Sequence, residues 1–158
     1  MQLTVIEEKP ARRKRLNVVS VKMVRERILP YVTNVIRSPQ DIFSLAQEMQ
    51  LPDEDREHCL VIALSTKNHV VAIHTVSIGT LNSACVHPRE VLKVCILASA
   101  ASYILVHNHP SNDPTFSQED ISLSQRLVEA SQLVGIEMLD HVVVTSDSFR
   151  SMKEQGII

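Results

Sequence analysis

The chain has 158 residues, 44% of them hydrophobic, and a formal net charge of −2. That mass supports one domain with a real core, and so small a charge sets up no global field toward nucleic acid. Three glycines exclude a glycine-rich phosphate loop, and the three cysteines, Cys59, Cys85 and Cys95, form no C-x-x-C pair.

Residues 1–15 are polar and carry Lys9, Arg12, Arg13, Lys14 and Arg15. They read as a flexible, solvated basic arm, with a weak DNA association at most. Residues 16–24 alternate loosely and predict a strand. Ser38 and Pro39 stand as N-cap and first residue of a helix reaching about Gln50, and residues 51–55 break it. Residues 59–65 and 69–77 predict an antiparallel hairpin about Thr66, Lys67 and Asn68. Residues 75–86 read as irregular around Gly79. Pro88 opens a helix to about Ala101, apolar on so many sides that burial on most of them is expected.

Residues 102–106 form an apolar run that predicts a buried strand. A helix over 118–134 follows, ending at Gly135. Residues 138–145 predict a last buried strand, and 147–154 a helical turn. Strands and helices interleave, so the expected class is α/β: a mixed sheet with helices on both faces, residues 16–158 forming a single domain. The longest apolar run, 94–106, is too short to span a bilayer, and no stretch has a signal peptide's apolar core. With cysteines read as buried thiols in a reducing compartment, the expectation is a cytoplasmic protein with no membrane partner.

The strand over 102–106 ends abruptly in His107-Asn108-His109-Pro110, followed by Ser117 and Asp120. Two histidines and an aspartate supply the three protein ligands that catalytic zinc takes, with a position left open. Ser117 and Asp120 also read as a capping box for the next helix. A cap does not explain two histidines emerging from an apolar strand, and capping and ligation are compatible. Amide hydrolysis at such a site needs a carboxylate to move the water's proton and a donor for the oxyanion. Ser117 suits the donor. Glu57, opening a strand, and Glu90, in a helix's first turn, both suit the carboxylate. Glu90 has a sufficient helix-dipole explanation, but local sequence does not separate the two.

From residue 38 to 158 the chain resembles the JAB/MPN domain of RadC-type proteins, within the JAMM metalloprotease superfamily. The shared pattern is an upstream Glu, then H-x-H-P, six residues, and S-x-x-D. Here it is His107-Asn108-His109-Pro110, residues 111–116, then Ser117 and Asp120, without a gap. Gly79-Thr80-Leu81-Asn82, His87-Pro88-Arg89-Glu90-Val91 and Leu139-Asp140-His141 add to the likeness.

The resemblance implies a cytidine-deaminase-like fold, Zn²⁺ held by His107, His109 and Asp120, a catalytic serine at Ser117 and the catalytic glutamate at Glu57. It implies a zinc-dependent metallopeptidase or isopeptidase acting on a peptide or isopeptide substrate. The alternatives are a metal-dependent DNA-processing or repair-associated protein, and a non-catalytic MPN scaffold. Scaffold relatives usually lose ligands, and this chain keeps all of them. Asn112 stands where the family usually has Gly, and Phe116 where it has Pro. Asn tolerates the left-handed conformation, so the turn can survive; Phe116 loosens the loop. No glycine occurs in residues 1–78, so the helix-hairpin-helix module of many RadC proteins is expected to be absent. Asp140 and His141 read equally as a pair orienting a ligand and as a core histidine beside a turn acid. His58, His69, His74 and His87 read as structural.

Overall fold

Two strands that read as near-continuous apolar runs lie at the centre of the fold. A computed structural model describes residues 16–30, 34–79 and 86–158. Its elements are α1 (Pro39–Glu48), β1 (His58–Leu64), β2 (Val70–Ile78), α2 (Pro88–Leu97), β3 (Ser102–Asn108), α3 (Gln118–Val134), β4 (Glu137–Val144) and β5 (Phe149–Ser151), with a 3-10 turn over Leu51–Asp53. The strand order is β2-β1-β3-β4-β5. The β3–β4 pair is parallel and the others antiparallel, so the sheet is mixed, as expected. All of β3 and all of β1 after His58 are buried, because both sheet faces are covered there.

Alternation along the strands divides the core in two. Cys59, Val61, Ala63, Tyr103 and Leu105 pack with Val91 and Cys95 of α2 and Leu123 and Leu127 of α3. Leu60, Ile62, Leu64, Ile104, Val106 and Val142 pack on the opposite face with Ile42, Phe43 and Leu45 of α1. Helices therefore cover both faces. Among the described residues no helix is long and apolar enough to cross a membrane.

Local chemistry sets the helix ends. Ser38 and Asp41 close a reciprocal capping box on α1, with Pro39 in its first turn. The His87 imidazole caps α2, its Nδ1 accepting from Arg89 N at 3.3 Å. Gly135 ends α3 at φ 74°, a conformation that costs glycine little.

The structure corrects several boundaries. Residues 16–24 form no strand: residues 16–30 have no regular structure, and Val18 is 99% exposed. A strand-like pattern without a neighbour to take its backbone groups stays open. The basic arm, residues 1–15, and the irregular stretch 80–85 lie outside the described residues, while β2 continues to Ile78. The helix opened by Pro88 stops at Leu97 because Ser99 turns left-handed at φ 51°. Ile96 on it is 56% exposed, so α2 is less enclosed than its composition predicts. Residues 149–151 form a strand, and the turn comes only after it, over residues 152–156. Asp140 draws the strand in: its carboxylate accepts from Ser151 Oγ at 2.6 Å and Lys153 N at 3.1 Å.

Candidate metal centre

β3 carries His107 at its penultimate position, on the same face as Tyr103 and Leu105. The strand's ladder continues one residue further, since His109 N donates to Val144 O at 3.0 Å. His109 therefore sits at a fixed sheet end. The chain then turns at Asn112, with φ 61°. The Asn112 Oδ1 accepts from Ser146 N and Oγ at 3.0 and 2.7 Å, so the asparagine adopts the left-handed turn and ties it to the β4–β5 connection. The loop returns at Ser117, which caps α3: Ser117 Oγ accepts from Asp120 N at 3.1 Å, and Asp120 Oδ2 from Ser117 N at 2.8 Å.

This folding brings His107, His109 and Asp120 together, with ligand atoms within 4.8 Å of one another. The two Nε2 atoms are 2.9 Å apart. Asp120 Oδ1 lies 3.3 Å from His107 Nε2, and Oδ2 lies 3.7 Å from His109 Nε2. Both His107 and Asp120 are fully buried at the side chain, and His109 is 11% exposed. Capping and convergence thus coexist at Asp120.

His109 Nδ1 is 2.7 Å from the Asp113 carbonyl, which can only accept, so Nδ1 carries a proton and Nε2 faces the cluster. Asp120 Oδ1 is buried without a hydrogen-bond donor. Burial pushes the Asp120 carboxyl up, but interactions with His107 and His109 outweigh it and hold the group well below the usual carboxylate range. Burial also pushes His109 down, yet Asp120 and the Asp113 carbonyl raise it above its ordinary value. Two imidazole nitrogens, a buried carboxylate and an orphaned oxygen fit a divalent metal of the zinc type, whose ligands are N and O donors. Cys59, beside His107 in the β1–β3 register, is not part of the cluster; burial, then the charges of Asp120 and Glu57, push its thiol far up.

The open side of the cluster faces a cleft of about 290 Å³, lined by Glu57, His109, Ser117 and Asp120, with Ser111, Asp113 and Thr115 along the loop. Glu57 immediately precedes β1 and is half-buried. Glu90 lies elsewhere, on the exposed start of α2, paired with Lys93 and Arg89. Those partners, Lys93 first, hold its carboxyl below the ordinary value. Of the two acids, Glu57 lines the cleft and Glu90 does not.

Two residues that sequence reasoning passed over support the cluster. Asn108 points to the face opposite His107 and clamps the segment bearing Glu57. Its Oδ1 accepts from His58 N at 2.7 Å, and its Nδ2 donates to Arg56 O at 2.9 Å. The signal was strand alternation: neighbours in β3 must serve opposite faces. Ser124, one turn after Asp120, donates to the Asp120 carbonyl at 2.8 Å and lies 2.6 Å from His141 Nδ1. His141 Nε2 is in turn 2.8 Å from His107 Nδ1. Burial, and then the charge of His107, drive His141 well below its ordinary value, so the ring is neutral. Asp140 serves β5 with its side chain and accepts from His141 N at 2.7 Å, while the His141 ring is held by Ser124 and His107. His58 pairs with Glu54, His69 with Asn34, His87 caps α2, and His74 is exposed; none joins the cluster.

A family profile described as "RadC-like JAB domain" matches residues 36–157. The chain belongs to the RadC-like JAB domain family. Among curated relatives, a UPF0758 protein of Desulforamulus reducens is 56% identical over 124 residues, 78% of this chain and 54% of the relative. One of Desulfitobacterium hafniense is 50% identical over 129 residues, 82% and 56% of the two lengths. The UPF0758 protein YsxA of Bacillus subtilis is 51% identical over 124 residues, 78% and 53%. The chain spans about half the length of the curated relatives it matches. The profile covers every element from α1 to β5, and so the whole JAB-domain sheet and the His107, His109 and Asp120 cluster.

Proposed function

We propose that this chain is a zinc-dependent hydrolase of the JAMM type, cleaving an amide bond in a peptide or isopeptide. The carrying observation is the convergence of two imidazoles and a buried carboxylate beside a cleft that Glu57 and Ser117 also line. A bound divalent cation would supply Lewis acidity and lower the pKa of water to about 7. His107, His109 and Asp120 would hold it. Glu57 would take the proton of the attacking water and return it to the departing nitrogen. Ser117 Oγ accepts the Asp120 amide, which leaves its own proton free to donate to the developing oxyanion. Unpaired, buried Cys59 and Cys95 support a reducing, cytoplasmic setting.

Elemental analysis and turnover on peptide and isopeptide substrates test this reading. Wild-type protein should carry one zinc per chain, and His109→Ala should lose it. Glu57→Gln should keep the zinc and lose about 10²- to 10⁴-fold in turnover. Zinc retained in His109→Ala would sink the ligand assignment. An active Glu57→Gln would sink the choice of base. Salt-resistant DNA cleavage that needs His107 would replace the peptidase reading with a nuclease.

A further inference from the structure

The geometry assigns Asn112 a role as a positioning residue: its carboxamide straps the loop after His109 to the β4–β5 connection, and so holds the His109 ring and one wall of the cleft in place. The consequence for metal and substrate rests on the zinc-dependent reading above; the strap itself does not. The three proposed ligands are not supported alike. His107 lies within β3 and Asp120 in the first turn of α3, so regular elements fix both. His109 stands just past the strand, and its ring rests on loop backbone, with Nδ1 2.7 Å from the Asp113 carbonyl. Where that carbonyl sits depends on how the loop is held.

Two tethers hold it, at the end of β4 and just beyond. His109 N donates to Val144 O at 3.0 Å. Further along the loop, Asn112 Oδ1 accepts from Ser146 N at 3.0 Å and from Ser146 Oγ at 2.7 Å. The Ser146 amide can only donate, so the oxygen of the carboxamide must face it. Asn112 Nδ2 then faces Asp147 Oδ1, 3.5 Å away. The receiving turn is itself closed by hydrogen bonds. Thr145 is buried, its Oγ1 accepts from Ser148 N at 3.1 Å, and its N donates to Ser148 O at 2.8 Å. Asn112 takes φ 61°, and its own N donates back to His109 O at 3.0 Å. That backbone conformation alone would suit glycine better. What glycine lacks is the carboxamide, and both bonds to Ser146 run through it. Ser111, Asp113 and Thr115, on either side of Asn112, line the cleft. The strap lies at the surface, so it governs the placement of the loop more than the stability of the domain.

The test uses the full chain, read by amide hydrogen exchange and by a zinc titration against a competing chelator. Asn112→Gly keeps the turn, since glycine takes positive φ freely, and removes the strap. Exchange at Ser146 N should quicken by up to about tenfold, the net contribution of one hydrogen bond. Zinc affinity should fall about tenfold, as for other groups that orient a ligand from behind. On a peptide or isopeptide that the wild type cleaves, KM should rise while kcat at saturating zinc holds, because the wall binds substrate and transition state alike. The unfolding midpoint of the metal-free protein should barely move. Asn112→Asp keeps an accepting oxygen but sets a second carboxylate against Asp147. Combining it with Asp147→Asn exchanges the two groups, and should restore slow exchange and zinc affinity together, which a general loss of stability does not explain. Wild-type zinc affinity in Asn112→Gly overturns the proposal, as does a swapped double variant no better than Asn112→Asp alone. A wild type that takes up no zinc refutes the metal reading; exchange at Ser146 N in metal-free protein then decides the strap, and an unchanged rate in Asn112→Gly overturns it.

Discussion

At the scale of single residues, β3 divides its labour by alternation. His107 faces α3 and the metal position, while Asn108 faces the opposite side and holds the backbone of residues 54–58. Asn108 touches neither the cluster nor the cleft, yet it fixes where Glu57 can stand. Asn108→Ala should leave zinc content unchanged and lower kcat by about 10²-fold, since a displacement of about 1 Å costs that much at a reacting centre. It should also cost about 1–3 kcal/mol of stability, because His58 N and two carbonyls lose a buried partner. Metal analysis beside steady-state kinetics separates the two effects; an unchanged kcat would show that Glu57 is positioned by other contacts. The motif His107-Asn108-His109-Pro110 stands out in the sequence because histidine is rare after an apolar run. The role of Asn108 was hidden because its partners lie about fifty residues upstream.

At the scale of elements, α3 faces the sheet with a stripe in which polar groups outnumber the apolar ones. Asp120, Ser124 and Ser131 are buried along with Leu123 and Leu127. The two serines are answered by the sheet: Ser124 meets His141, and Ser131 meets the Tyr103 hydroxyl at 2.8 Å. Burial pushes the Tyr103 phenol above its ordinary value, only partly offset by the Ser131 bond. Tyr103→Phe should cost about 1–2 kcal/mol, as the buried Ser131 hydroxyl loses its partner. Urea unfolding with unchanged m-value measures it. The raised phenol has a further consequence. Its stabilisation is present in full below about pH 10, the unfolded tyrosine value, and is lost as the pH rises through the folded value. Tyr103→Phe should therefore flatten the alkaline fall in stability, and an identical fall in the variant would assign it to other groups.

At the scale of the whole molecule, the cluster ties the end of β3 to the start of α3, and α3 crosses to the parallel strand β4. A cation held there binds the folded chain only, so it should raise the unfolding temperature. At zinc a hundredfold above its Kd the gain is about 2.7 kcal/mol, or roughly 5–10 °C for a domain of this size. A chelator should reverse the shift, and His109→Ala should show none. Deleting residues 1–15 should leave the shift intact, because His107, His109 and Asp120 form the cluster on β3 and α3. A shift that vanishes with the arm would place part of the metal site outside β3 and α3. Calorimetry with and without zinc decides this.

What the sequence determined by itself was whatever depends on local pattern. Apolar runs marked β1 as a hairpin strand and β3 as a buried strand, Ser38-Pro39 and Ser117 to Asp120 marked helix starts, and Gly135 marked a helix end. The spacing of His107, His109, Ser117 and Asp120 sufficed for the cluster, because a strand end and the helix cap that follows bring them together within fourteen residues. Tertiary structure alone decided what depends on distant neighbours. It gave residues 16–24 no strand partner among the described residues, made β5 a strand by supplying β4 and Asp140, and put Glu57, not Glu90, on the cleft. It also joined Ser124 and His141 behind His107. The physical reason is common to all four. Backbone pairing and side-chain hydrogen bonds are satisfied by whichever groups the fold brings within about 3 Å, and local sequence does not encode which distant segment arrives there.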